Sequence, residues 1–241
     1  QMAIREKMID RDFAESLLKT FDDPYKNGVH ILFNEWWQYA DESTKDSYVA
    51  QMTETGEFES LTNGSLYNNT PLTIEVLERL PAGSLGRAFH DWIISNNLTI
   101  GLATNYKAMH EKFKSEGILE GMPPEMESAV LRAYQTHDFQ HVVTGYDSSP
   151  AGEIALQSFG FGQVRFPYFG MWMSVSMTRM TFLSPHRITE FMDAIADGWE
   201  LGRRSPNIQC VKWEDMLDQP LAEVRKKLGI TPTGIANQAI K

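Results

Sequence analysis

The six residues Gly145-Tyr146-Asp147-Ser148-Ser149-Pro150 decide more about the fold of this chain than any other stretch. Gly145 reads as a helix stop, and Ser149 followed by Pro150 reads as an N-cap with proline at the first helical position. One helix arrives, the chain bends sharply, and a second helix leaves. Upstream, residues 126–134 look like the earlier turns of the arriving helix, which then carries His137, Asp138 and His141. At about 100° per residue, His141 sits roughly 40° round the axis from His137, and Asp138 roughly 100°. Val130, Tyr134 and Thr144 share that face, so it points inward. Glu153 follows the bend. On an unbroken helix it would stand roughly 18 Å beyond His141; folded back, it can meet the other three.

Two imidazoles and a carboxylate in an apolar interior are costly unless something satisfies them. A divalent cation would do so. Two nitrogens and two carboxylate oxygens suit zinc first, with Fe(II), Mn(II) and Co(II) as alternatives, whereas Mg prefers more oxygen and more water. His137, Asp138, His141 and Glu153 are therefore the candidate metal ligands and the candidate catalytic group. The plainer alternative has Asp138 exposed and Glu153 favouring the positive end of its helix.

The composition sets outer limits. Of the 241 residues, 42% are hydrophobic and 22% charged, which is ordinary for a globular protein. The single cysteine, Cys210, excludes an intramolecular disulfide and suits a reducing compartment. A net charge of -10 with no basic run argues against binding nucleic acid. The same charge disfavours purely electrostatic attachment to anionic lipid, so membrane contact would have to be hydrophobic. Residues 1–20 show no signal or transit peptide, so the expected location is cytoplasmic, with peripheral membrane association allowed. The apolar run 159–183 is interrupted by Arg165, Pro167, Ser174, Ser176 and Arg179, and is not a membrane span.

Along the rest of the chain, helical spacing and caps predominate and alternating strand patterns are nearly absent. Helices are predicted over residues 1–21, 29–39, 71–80, 85–94, 98–114, 150–158 and 186–201, with one broken or two short helices over 213–228. Gly202 reads as the stop of the 186–201 helix, and Gly86 as a point of close packing. The expectation is an all-α, single-domain multi-helix bundle over 1–241, with 231–241 as a flexible tail. Arg87 pairs with Asp91 at i, i+4 or reaches an anionic group of a substrate. Met171 and Trp172, with Met177 and Met180, form either ordinary core or a slot for a long isoprenoid tail.

The pattern His137-Asp138-x-x-His141-x11-Glu153 resembles the signature of the coenzyme Q (ubiquinone) biosynthesis protein family. The likeness extends to Leu80-Pro81-Ala82-Gly83-Ser84-Leu85-Gly86-Arg87-Ala88-Phe89 and to Gly152-Glu153-Ile154-Ala155. It continues at Trp213-Glu214, at Pro220-Leu221-Ala222-Glu223-Val224-Arg225 and at Leu228-Gly229-Ile230, covering about residues 75–230. The resemblance implies action on a prenylated hydroxybenzoate, whose ring carboxyl at C1 is replaced by hydroxyl. His137, Asp138, His141 and Glu153 would hold the divalent cation, and Arg87, Tyr134, Met171 and Trp172 would meet the substrate. It also implies an isoprenoid lipid and other quinone-biosynthesis proteins as partners, with a membrane surface and a homodimer compatible with the reading. The competing reading is a scaffold that binds prenyl lipid and gathers other enzymes without chemistry. A metal-dependent phosphate-ester hydrolase is weaker, because the further His and Asp pairs of such enzymes are not evident.

Overall fold

The computed structural model describes residues 11–23, 36–37, 40–54, 72–98, 108, 110–117 and 119–232, and among them regular structure is helical. One isolated antiparallel bridge joins Ser84 to Pro220. In chain order the helices are α1 (Arg11–Asp22), α2 (Glu42–Thr53), α3 (Ile74–Glu78), α4 (Leu85–Ser95) and α5 (Pro124–Thr144). They continue with α6 (Pro150–Val164), α7 (Pro167–Leu183), α8 (Ile188–Arg204) and α9 (Leu221–Lys227). Short 3-10 turns occupy Pro185–Arg187 and Trp213–Met216. The all-α reading holds. Expectations for residues 1–10, 29–35, 99–107 and 233–241 lie outside the described residues.

Local chemistry sets the bend between α5 and α6 as the sequence predicts. Gly145 adopts φ 82°, the left-handed conformation that glycine enters without strain, and its N–H closes on the His141 carbonyl. Ser149 then caps α6, its hydroxyl accepting from the Gly152 N–H at 3.1 Å, with Pro150 at the first turn. Gly152 has its own reason. A Cβ there would stand 2.0 Å from the Asp147 carbonyl oxygen, so only glycine lets the bend close this tightly.

The helix predicted over 71–80 is shorter, Ile74–Glu78, because the Thr73 side chain caps it by accepting from the Val76 N–H. Two further helix ends differ from the sequence reading, for one shared cause. α6 does not stop near Ser158 but runs to Val164, and α8 runs through Gly202 to Arg204. Glycine lowers helix propensity, but here it lets two backbones approach. A Cβ on Gly198 would meet the Ala155 carbonyl oxygen at 2.0 Å, and one on Gly202 would meet that of Phe159 at 2.2 Å. Gly162 faces Trp199 and Arg203 in return. Ser158 completes the seam, its hydroxyl donating to the Ile195 carbonyl at 2.7 Å.

α4 and α9 brace α5. Phe89 of α4 stacks on Phe139 of α5 with centroids 3.9 Å apart, and Trp213 stacks beyond Phe139. Each such aromatic removes enough apolar surface from water to contribute about 2–3 kcal/mol. Gly86 packs closely, as expected: its N–H donates to the Leu217 carbonyl at 2.8 Å. From α9, Arg225 donates to the carbonyls of Val143 and Val142 at 2.9 and 3.0 Å, satisfying the open C-terminal end of α5. Deeper along α5, buried Arg132 forms a two-point ion pair with Glu214, both contacts at 2.6 Å. A second core gathers Tyr48, Met52, Met126, Val164, Phe166, Tyr168 and Cys210, with Tyr48 stacked on Phe166 at 3.8 Å.

Candidate metal centre

The bend brings His137 and His141 of α5 to face Glu153 of α6. His141 Nε2 lies 3.4 Å from Glu153 Oε1, and His137 Nε2 lies 3.6 Å from Glu153 Oε2. His137 Nδ1 lies 3.6 Å from Asp138 Oδ1. One ligand atom from each of His137, Asp138 and His141 falls within 4.8 Å of the others. Of the four residues that the sequence singled out, His137, Asp138 and His141 thus share one set of ligand atoms, and Glu153 faces both histidines, meeting His137 at the ring nitrogen turned away from Asp138.

Each imidazole is set differently. His141 is fully buried, and its Nδ1 lies 3.0 Å from the Tyr146 carbonyl oxygen. A carbonyl only accepts, so Nδ1 carries the proton and the Nε2 lone pair points toward Glu153. That Nε2 is buried without a hydrogen-bond partner. Trp92 of α4 lies flat on the His141 ring, centroids 4.7 Å apart and planes 18° apart, closing one side against water. Exposure rises from 0% for the His141 side chain to 41% for Glu153, so the cluster opens on one side to an arriving ligand.

The charges complement one another. Burial favours neutral His137, but the contact with Asp138 and the charges of Glu153 and Asp138 together outweigh it and raise its pKa. Burial likewise works to raise Asp138 and Glu153, yet the facing histidines hold both below the usual carboxylate values.

The residues fit a divalent cation. Ligand atoms around a tetrahedral zinc stand roughly 3.3–3.4 Å apart, close to the 3.4 and 3.6 Å separations of Glu153 from the two histidines. The unpaired Nε2 of His141, its proton fixed on the far nitrogen by a backbone carbonyl, is the arrangement a metal-ligating histidine takes.

The other candidate residues lie elsewhere on these helices. Arg87 donates to the Glu78 carbonyl at 2.6 Å and lies 3.5 Å from Asp91, so its described contacts are a backbone carbonyl and the i, i+4 pair. Tyr134 packs against the second core, beside Tyr168. Met171 and Trp172 sit with Val175, Leu17 and Phe21 where α7 meets α1. The stripe turned to the main core is Met173, Met177 and Met180. Sequence reading missed Trp92, the Tyr146 carbonyl and Arg225 as supports of the cluster. A backbone acceptor leaves no mark in side-chain spacing. Trp92 and Arg225 are brought to α5 by tertiary packing alone.

Comparison with known proteins agrees with the fold and with the family resemblance. Residues 123–234 match the family described as coenzyme Q (ubiquinone) biosynthesis protein Coq4. A mitochondrial ubiquinone biosynthesis protein coq4 of Sclerotinia sclerotiorum is 27% identical over 161 residues, 66% of this chain and 51% of that protein. Its counterpart in Ajellomyces capsulatus is 29% identical over 178 residues, 70% of this chain and 56% of that protein. The chain thus spans about half the length of these curated relatives. A crystal structure from Nostoc punctiforme, provisionally assigned to ubiquinone biosynthesis, shares the fold with a TM-score of 0.66 at 21% identity. That match covers 92% of this chain and 99% of the other. Among the described residues, no helix is long and apolar enough to cross a membrane.

Proposed function

This chain belongs, through residues 123–234, to the coenzyme Q (ubiquinone) biosynthesis protein Coq4 family, and on that premise we propose a metal-dependent role in quinone biosynthesis. The substrate is a prenylated hydroxybenzoate, and the reaction replaces its ring carboxyl at C1 by hydroxyl. In balanced form, the C1–carboxyl bond breaks with release of carbon dioxide, and one atom of dioxygen enters at C1. The other oxygen atom leaves as water, taking two electrons and two protons from an external reductant such as a reduced nicotinamide. The observation that supports this most is the buried, unpaired Nε2 of His141 facing Glu153.

His137, Asp138, His141 and Glu153 are the residues to hold the cation. When bound, a divalent cation supplies Lewis acidity toward the substrate's carboxylate. The protein's own groups do the rest. The Tyr146 carbonyl fixes the His141 tautomer, and Trp92 shields that imidazole from water. His137, the half-exposed histidine, keeps a proton between Asp138 and Glu153 until a ligand displaces it. The isoprenoid tail lies along the seam of α6 and α7, where Met173, Met177 and Met180 adapt to irregular apolar shapes. Phe182 and Leu183, 79% and 64% exposed at the end of α7, support delivery of that tail from a membrane surface.

The test is incubation with a prenylated hydroxybenzoate under air with a reductant, with and without added metal, in the wild type and in His141→Ala. The enzymatic reading expects the decarboxylated, hydroxylated product only with metal and an intact His141. Lipid binding without turnover in every condition would establish the scaffold reading instead.

A further inference from the structure

Gln157 lies four residues beyond Glu153 on α6, about 40° round the helix and roughly 6 Å along it. That face is turned to α7. A Cβ on Gly160 would stand 2.9 Å from the Phe169 ring, and one on Gly170 would stand 3.5 Å from the Phe161 ring. Because the two helices leave a tight turn in opposite directions, these pairs bring Gln157 level with Met173, and Glu153 level with Met177. From Ala151 to Phe161 of α6, the partly exposed positions are Glu153, Gln157 and Phe161 in a stripe of every fourth residue, with the other positions buried. A polar side chain thus follows Glu153 along the face of α6 that runs level with Met173 and Met177. Its Oε1 is buried with no hydrogen-bond partner. Native chains keep few such atoms, and an unmatched acceptor beside a ligand site is matched by the ligand.

We infer that Gln157 is a specificity-determining residue whose side-chain amide takes the ring hydroxyl of the aromatic acid held at the His137–Glu153 cluster. The inference rests on the reading above that the ligand is a prenylated hydroxybenzoate. The axial step from Glu153 to Gln157 matches the span of a benzene ring with its carboxyl at one end and its hydroxyl at the other. A phenol both donates and accepts, and so does the amide. Alongside on α7, Met173 and Met177 offer apolar contact, which a prenyl chain uses and a hydroxyl does not.

The experiment measures binding of two ligands by metal-loaded protein: a short-chain prenylated para-hydroxybenzoate, and the same molecule without its ring hydroxyl. Wild type is compared with Gln157→Met, which keeps the volume and removes the amide. Wild type should favour the hydroxylated ligand tenfold or more, and Gln157→Met should bind both equally, with Tm and metal content unchanged. The same preference in both proteins would overturn the assignment of Gln157 while leaving the substrate reading intact. Loss of folding or of metal in Gln157→Met would show the amide to be structural and would also overturn it. A wild type that binds neither molecule would overturn the substrate reading, and this inference with it.

Discussion

His141 Nδ1 and the Tyr146 carbonyl oxygen stand 3.0 Å apart across the bend that ends α5. The turn that folds Glu153 back is therefore also the turn that orients the imidazole it faces. The Tyr146 hydroxyl in turn donates to Asp197 of α8 at 2.7 Å, so the bend is anchored to the helix behind it. Burial, then the contact with Asp197, keeps that phenol protonated far above its ordinary pKa.

The two carbonyls that Arg225 satisfies belong to the turn of α5 that carries His141. A hydrogen bond from a charged donor contributes about 1.5–3 kcal/mol, and a cation at a helix C-terminus adds about 0.3–1 kcal/mol. Arg225→Met should lower stability by about 2–4 kcal/mol in a denaturant titration and weaken metal binding with it. An unchanged midpoint would show that water replaces the guanidinium at no cost.

The seam between α6 and α8 makes a sharper contrast. Gly198→Ala drives a methyl to 2.0 Å from a backbone oxygen, which no side-chain rotation relieves. It should cost about 1–3 kcal/mol or more. Gly170→Ala places its methyl 3.5 Å from Phe161, ordinary contact, and should be neutral or stabilising by up to about 1 kcal/mol through helix propensity. Thermal melts of the two variants in parallel check the pair, and similar shifts would contradict the close approach.

Metal affinity should depend on pH through His137. Its raised pKa means that Asp138 and Glu153 hold a proton there, and a cation must displace it. Affinity therefore falls as pH drops through that raised value, while Asp138 and Glu153, both lowered, stay ionised to more acid conditions. The metal-free fold shows the opposite trend. Its His137 contribution is present below the ordinary histidine pKa and is lost as pH rises through the raised one. Chelator competition over about pH 5 to 8 measures the first effect. A flat affinity would exclude His137 from the ligand set.

Much of this was legible in the sequence because it was local. Gly145, Ser149 and Pro150 write the bend in their own backbone preferences, and the spacing of His137, His141 and Glu153 then follows from helix geometry. Gly202 misled for a physical reason: a glycine read as a terminator and one read as a contact point have the same identity, and only the partner helix distinguishes them. Met171 and Trp172 were singled out for chemistry that any core uses, and the structure packs them against Leu17 and Phe21. Trp92 and Arg225 reach the site from helices far away in sequence, a relation that no spacing within one segment records.

A cation shared by α5 and α6 is what the proposed chemistry requires. Elemental analysis of protein purified without chelator, in wild type, His141→Ala and Glu153→Gln, tests it most directly. About one equivalent of a divalent transition metal in wild type, lost in both variants while helical content stays the same, is the predicted result. Wild type free of metal and unable to take it up, or variants that retain it in full, would contradict the claim.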